Sequence, residues 1–147
     1  MRPTRLILIP AVLLVAACSS GAGSTGASTL APSGSPATTI EVTLSDGFTI
    51  ELASSTVPAG VPVTFVVTNA GAIVHEFFLG DEDAQEEHEQ EMLAGGMGHD
   101  EPDGIAVQPG ETKQLTHTFE EPGETLAGCH EAGHYAAGMK AAITVAG

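Results

Sequence analysis

Positive charge is almost missing from this sequence. Four of its 147 residues are Lys or Arg, against 19 Asp and Glu, and the formal net charge is −15. Arg2 and Arg5 stand at the very start, which leaves Lys113 and Lys140 for the rest of the chain. With so little to set against phosphates, nucleic-acid binding is excluded; the acidic balance favours solubility or a basic protein partner. Cysteine is equally scarce, with Cys18 and Cys129 alone. There is no His-x-His pair and no Ser/His/Asp pattern of a nucleophilic enzyme. Long apolar runs are missing too. Residues 6–17 are apolar, but 12 residues are too few to be read first as a membrane span.

That stretch follows Met1-Arg2-Pro3-Thr4-Arg5, a short basic start, and ends in Leu14-Val15-Ala16-Ala17-Cys18. This is the shape of an export signal, and the small residues before the cysteine resemble a bacterial lipobox. The expectation is a leader over 1–17, lipid on Cys18, and a protein tethered to a membrane outside the cytoplasm. Residues 19–37 are rich in Gly, Ser, Ala and Pro with no charge, which reads, with Cys18, as a flexible linker over 18–37. Cys129 is then the one free thiol, no disulfide can form within the domain, and a bare thiol in an oxidising space needs an occupant.

Residues 38–147 hold enough chain for one core. Their apolar pattern is mostly of period two: Ile40, Val42 and Leu44; Phe48, Ile50 and Leu52; Val61, Val63, Phe65 and Val67; Leu115, His117 and Phe119; and a last strand at 142–145. Turn signals such as Ser45-Asp46-Gly47, Asn69-Ala70-Gly71 and Pro109-Gly110 separate these runs. Short strands so spaced predict an all-β sandwich. Residues 81–104 break the pattern and carry more than half of the acidic groups. Asp81 or Asp83 is placed to cap an acidic helix over 84–93 that ends at Gly95-Gly96, which predicts a short surface helix inserted between strands.

Chemistry concentrates near the end, in Gly128-Cys129-His130-Glu131-Ala132-Gly133-His134-Tyr135-Ala136-Ala137-Gly138-Met139. A thiolate, an imidazole and a thioether stand five residues apart each time. Two His, one Cys and a weak axial Met make the ligand set of a blue-copper electron-transfer site. His75, in Ile73-Val74-His75-Glu76-Phe77-Phe78, offers the second imidazole. His130 is an alternative to His134, disfavoured because neighbours on an extended segment face opposite ways. Gly128, Gly133 and Gly138 each precede a ligand, where a side chain would hinder the backbone from curling around an ion.

These residues resemble the cupredoxins, the family of plastocyanin and azurin, over most of 38–147. The Cys129/His134/Met139 spacing is most similar to the loop of rusticyanin and sulfocyanin. The resemblance implies a Greek-key sandwich and one type 1 copper ligated by His75, Cys129, His134 and Met139. It also implies that the edge of His134 is the electron exit. Two residues depart from the family pattern: Glu76 follows the first histidine and His130 follows the cysteine. We expect the two to pair by a charge-assisted bond that ties the ligand loops together. The acidic insert is a further departure, and its His88, Met92, Met97 and His99 raise the question of a second copper ion.

The sequence therefore predicts no enzyme, but a lipid-anchored, extracytoplasmic carrier of single electrons. Its partner would be a cytochrome, oxidase or reductase with a basic docking surface. Copper capture or delivery at the cell surface is the alternative.

Overall fold

The structure, a computed structural model, describes residues 38–96 and 98–147. The expected leader, the expected lipid site Cys18, the expected linker and Met97 lie outside them. Among the described residues, nine strands form two facing sheets. In chain order they are β1 (Thr38–Ser45), β2 (Thr49–Leu52), β3 (Thr56–Pro58), β4 (Pro62–Asn69), β5 (His75–Gly80), β6 (Gly104–Val107), β7 (Thr112–Thr118), β8 (Gly123–Gly128) and β9 (Lys140–Ala146). One helix, α1 (Glu82–Leu93), joins β5 to β6. The first sheet runs β2-β1-β4-β7 and the second β3-β9-β8-β5-β6. Parallel pairing of β1 with β4 and of β3 with β9, among otherwise antiparallel strands, gives mixed sheets. The all-β sandwich with one short acidic helix is thus as the sequence predicts.

Alternation does what period two requires. Ile40, Val42 and Leu44 on β1, and Val63, Phe65 and Val67 on β4, turn inward against Phe77, Leu79, Ile105, Val107, Ile143 and Val145 of the other sheet. The outward face of the first sheet is hydroxylated. Register sets Thr39, Thr64 and Thr116 in one row and Thr43, Thr68 and Thr112 in another. Side-chain hydrogen bonds join Thr64 to Thr116 (3.0 Å) and Thr68 to Thr112 (2.9 Å). Such pairs stabilise a sheet across its strands.

Phe48 departs from the expected pattern. It lies in the β1–β2 turn at φ 57°, not on the inward face with Ile50, and it is 39% exposed. β5 departs in another way, since His75 to Leu79 are all buried. One face of that strand meets the sandwich core and the other lies under α1.

The helix forms as expected at its start: Asp81 caps it by accepting from the Ala84 N–H at 2.9 Å, with Glu82 and Asp83 in the first turn. It is not merely a solvated cover, however. Its buried residues are polar, Gln85 and His88. Gln85 donates toward the carbonyls of Phe78 (3.2 Å), Gly80 (3.4 Å) and Leu126 (3.2 Å), and so pins α1 to β5 and β8.

Candidate metal centre

His75 opens β5, and Cys129 follows the last residue of β8. Their surroundings explain why both are held still. Asn69, fully buried, donates to the carbonyls of Ile73 (2.8 Å) and Val107 (2.9 Å) and accepts from the Gly71 N–H (2.8 Å). That fixes the turn leading into His75. The loop after Cys129 ties itself together: the Cys129 N–H donates to the Met139 carbonyl (3.1 Å), and the Met139 N–H to the His134 carbonyl (3.0 Å). Gly133 and Gly138 adopt φ of 84° and 97°, where a side chain strains the backbone. Neither is crowded; crowding applies to Gly128, where an added Cβ would fall 2.2 Å from Gln85 Oε1.

Three of the four sequence-predicted donors, His75, Cys129 and His134, converge. Cys129 Sγ lies 3.3 Å from His134 Nδ1 and 3.9 Å from His75 Nδ1, and the two imidazole centroids are 5.0 Å apart. Cys129 and His75 are fully buried, and His134 is 8% exposed under the ring of Phe48, 4.9 Å away. The Glu76 N–H donates to Sγ at 3.3 Å. A thiol and two imidazoles presenting Nδ1 to it are the donor set that copper takes. Met139 is also fully buried, in the same core cluster as Cys129.

Asp46 completes the surroundings of His75, and the sequence reading treated it only as a turn residue. Its Oδ1 lies 3.1 Å from His75 Nε2, and both its oxygens accept from the Ala72 N–H. The Ala72 N–H, helped by His75, holds its carboxyl below the ordinary carboxylate range. A carboxylate on the far nitrogen fixes the tautomer in which Nδ1 is free to bind a metal. Nothing in a Ser-Asp-Gly turn reveals this partner, which comes from 29 residues away.

The expected pairing of the Glu76 and His130 side chains is corrected by the structure. Glu76 does tie the ligand loops, but through the backbone: its Oε2 accepts from the His130 N–H at 3.2 Å. The His130 ring turns to the helix instead, with Nδ1 2.7 Å from Glu89 Oε2 and Nε2 2.7 Å from Gln85 Oε1. Both nitrogens are thereby engaged, and the ring stands outside the His75/Cys129/His134 group. His117, on edge strand β7, packs against Phe119 and pairs with Asp103 at 2.9 Å.

Burial keeps Cys129 and His134 neutral in the absence of metal. Burial pushes the Cys129 thiol up to about 11, so without metal it keeps its proton. Burial, helped by His75, draws His134 below the usual histidine range, so its ring is neutral near pH 7. Metal binding must then displace the thiol proton. Copper affinity of the metal-free protein should rise about tenfold per pH unit between roughly pH 7 and 10. Competition with a chelator of known proton dependence measures this, and a flat profile would contradict it.

No protein-family profile matches the chain. Individual proteins do. It is 32% identical over 136 residues to the copper-resistant cuproprotein CopI of Pseudomonas aeruginosa, covering 72% of this chain and 75% of that one. It is 35% identical over 108 residues to the protein of the same name from Rubrivivax gelatinosus, covering 73% and 66%. Among solved structures, sodium-dithionite-reduced auracyanin from Roseiflexus castenholzii superposes with a TM-score of 0.65 at 26% identity, covering 76% of this chain and 98% of that one. An azurin from Methylomonas sp. strain J reaches 0.62 at 16% identity, covering 75% and 98%, a likeness of fold alone.

Proposed function

Because this chain belongs to the family of CopI copper-resistant cuproproteins and has the cupredoxin fold, we propose that it is a one-electron redox protein of the cell exterior. His75, Cys129, His134 and Met139 would hold one copper ion. The observation that carries this reading is the closure of the site: His75, Cys129 and Met139 are 0% exposed and His134 8%. An ion so enclosed exchanges slowly, whereas an electron needs only the edge of one ligand. Copper, when bound, supplies the Cu(I)/Cu(II) couple. The protein supplies constancy. The Glu76 N–H on the sulfur, Asp46 on His75 and the hydrogen-bonded loop from Cys129 to Met139 resist movement of the donors as the charge changes. His134, the one donor with an exposed edge, is the exit. The partner is a cytochrome, oxidase or reductase with a basic docking surface, and their association weakens with salt. Lipid on Cys18 would keep the domain at a membrane.

A second reading, copper capture or delivery, is favoured by the name of the relatives, which speaks of copper resistance. One experiment separates them. The carrier predicts a copper-loaded domain with an intense thiolate absorption band, reversible reduction, and retention of Cu(I) against a chelator for hours. A colourless protein that yields Cu(I) within seconds would establish delivery.

A further inference from the structure

Under α1 lies a second group of metal-ligating side chains, and the thiolate centre makes no use of their donors. One oxygen of Glu76, one ring nitrogen of His88 and one oxygen of Glu101 all fall within 4.8 Å of one another. Glu76 is fully buried and His88 is 5% exposed. The Phe78 ring stacks on His88 at 4.0 Å with 4° between planes, which sets the direction of its nitrogens. Glu101 is positioned by a two-way backbone bridge with Gly104.

The group is short of positive charge. Among the described residues Lys113 is taken by Asp100, and Lys140 lies over the Tyr135 ring. His88 Nε2 is 3.1 Å from Glu76 Oε1, but Nδ1 is 3.6 Å from Glu101 Oε1, too far for a hydrogen bond. That Glu101 oxygen is buried and has no hydrogen-bond partner, an expensive state for a carboxylate. A cavity of about 170 Å³ reaches the group from outside, and Glu87, Glu91 and Asp103 line it as well as Glu101.

We propose that Glu76, His88 and Glu101 form a second metal site, for a divalent cation that accepts imidazole and carboxylate, such as Zn(II) or Cu(II). No sulfur belongs to the group, so it selects against Cu(I), the ion that the thiolate centre suits. Three protein ligands leave a coordination position open toward the cavity, as in sites that keep a water. Of the His88, Met92, Met97 and His99 considered from the sequence, His88 faces Glu76, and Met97 lies outside the described residues.

Zinc chloride titrated into the copper-loaded protein, with excess Mg(II) to cover the acidic surface, tests this. The expected result is one saturable equivalent of zinc per chain beyond the copper. Glu101→Gln should weaken it at least tenfold, His88→Ala should do the same, and both should leave the thiolate absorption band intact. Met92→Leu should change nothing. If His88→Ala fails to fold, the Glu101 position, 27% exposed, still carries the test. The proposal is overturned if no saturable equivalent appears, if Glu101→Gln binds zinc as wild type does, or if Met92→Leu abolishes binding.

Discussion

Replacing Gln85 with leucine should remove about 2–4 kcal/mol of stability from the copper-free protein. The side chain is fully buried and its polar atoms are all engaged. Its nitrogen serves the carbonyls of Phe78, Gly80 and Leu126, and its oxygen lies 2.7 Å from the His130 ring. Leucine keeps the volume and supplies none of these partners, so the groups left behind bear the cost of burial unmet. α1 buries no apolar residue that could offset the loss, since its buried residues are Gln85 and His88, both polar. Denaturant unfolding at an unchanged m-value measures the loss. A midpoint equal to that of wild type would mean that the helix is docked by other means.

The second large effect is electrochemical. Asp46→Asn keeps the size of the residue beside His75 Nε2 and removes its charge. The ionised carboxylate favours the more highly charged cupric form, so its loss should raise the reduction potential. Outer partners of metal-bound histidines are worth about tenfold or more in affinity. If the whole tenfold falls on Cu(II), the rise is about 60 mV for one electron. The sign of the pH dependence follows from the depressed carboxyl of Asp46. Wild type keeps its lower potential through neutral pH and approaches the variant only in acid, as Asp46 is protonated. Voltammetry across pH shows both effects, and equal potentials at pH 7 would refute the role given to Asp46.

What could be read from the sequence is what repeats or what is chemically rare. Alternation on β1 and β4 announced the sandwich, and one thiol spaced from His134 and Met139 announced the metal. β6 did not show, because all four of its residues are buried and no alternation survives. β3 is three residues long, too short for a period. Phe48 was drawn into a strand by its spacing from Ile50, while the turn placed it over His134. The surroundings of the centre were least legible. Asp46, Asn69 and Gln85 act through hydrogen bonds that reach other segments of the chain, and such bonds leave no periodic trace. Glu76 was singled out correctly as a tie between the ligand loops, but a side chain accepting from a backbone N–H cannot be told from a side-chain pair by residue type.

The threonine rows on the first sheet have a consequence for how the molecule meets salt water. Glu41 and Glu51 are the carboxylates on the strands of that face, whereas the segment around α1 is crowded with them. Hydroxyls that satisfy one another across strands stay wet without counter-ions. Dissolved ions therefore gather asymmetrically, dense over the helix and thin over the hydroxylated sheet, and the protein carries a permanent electric polarity that orients it before any touch.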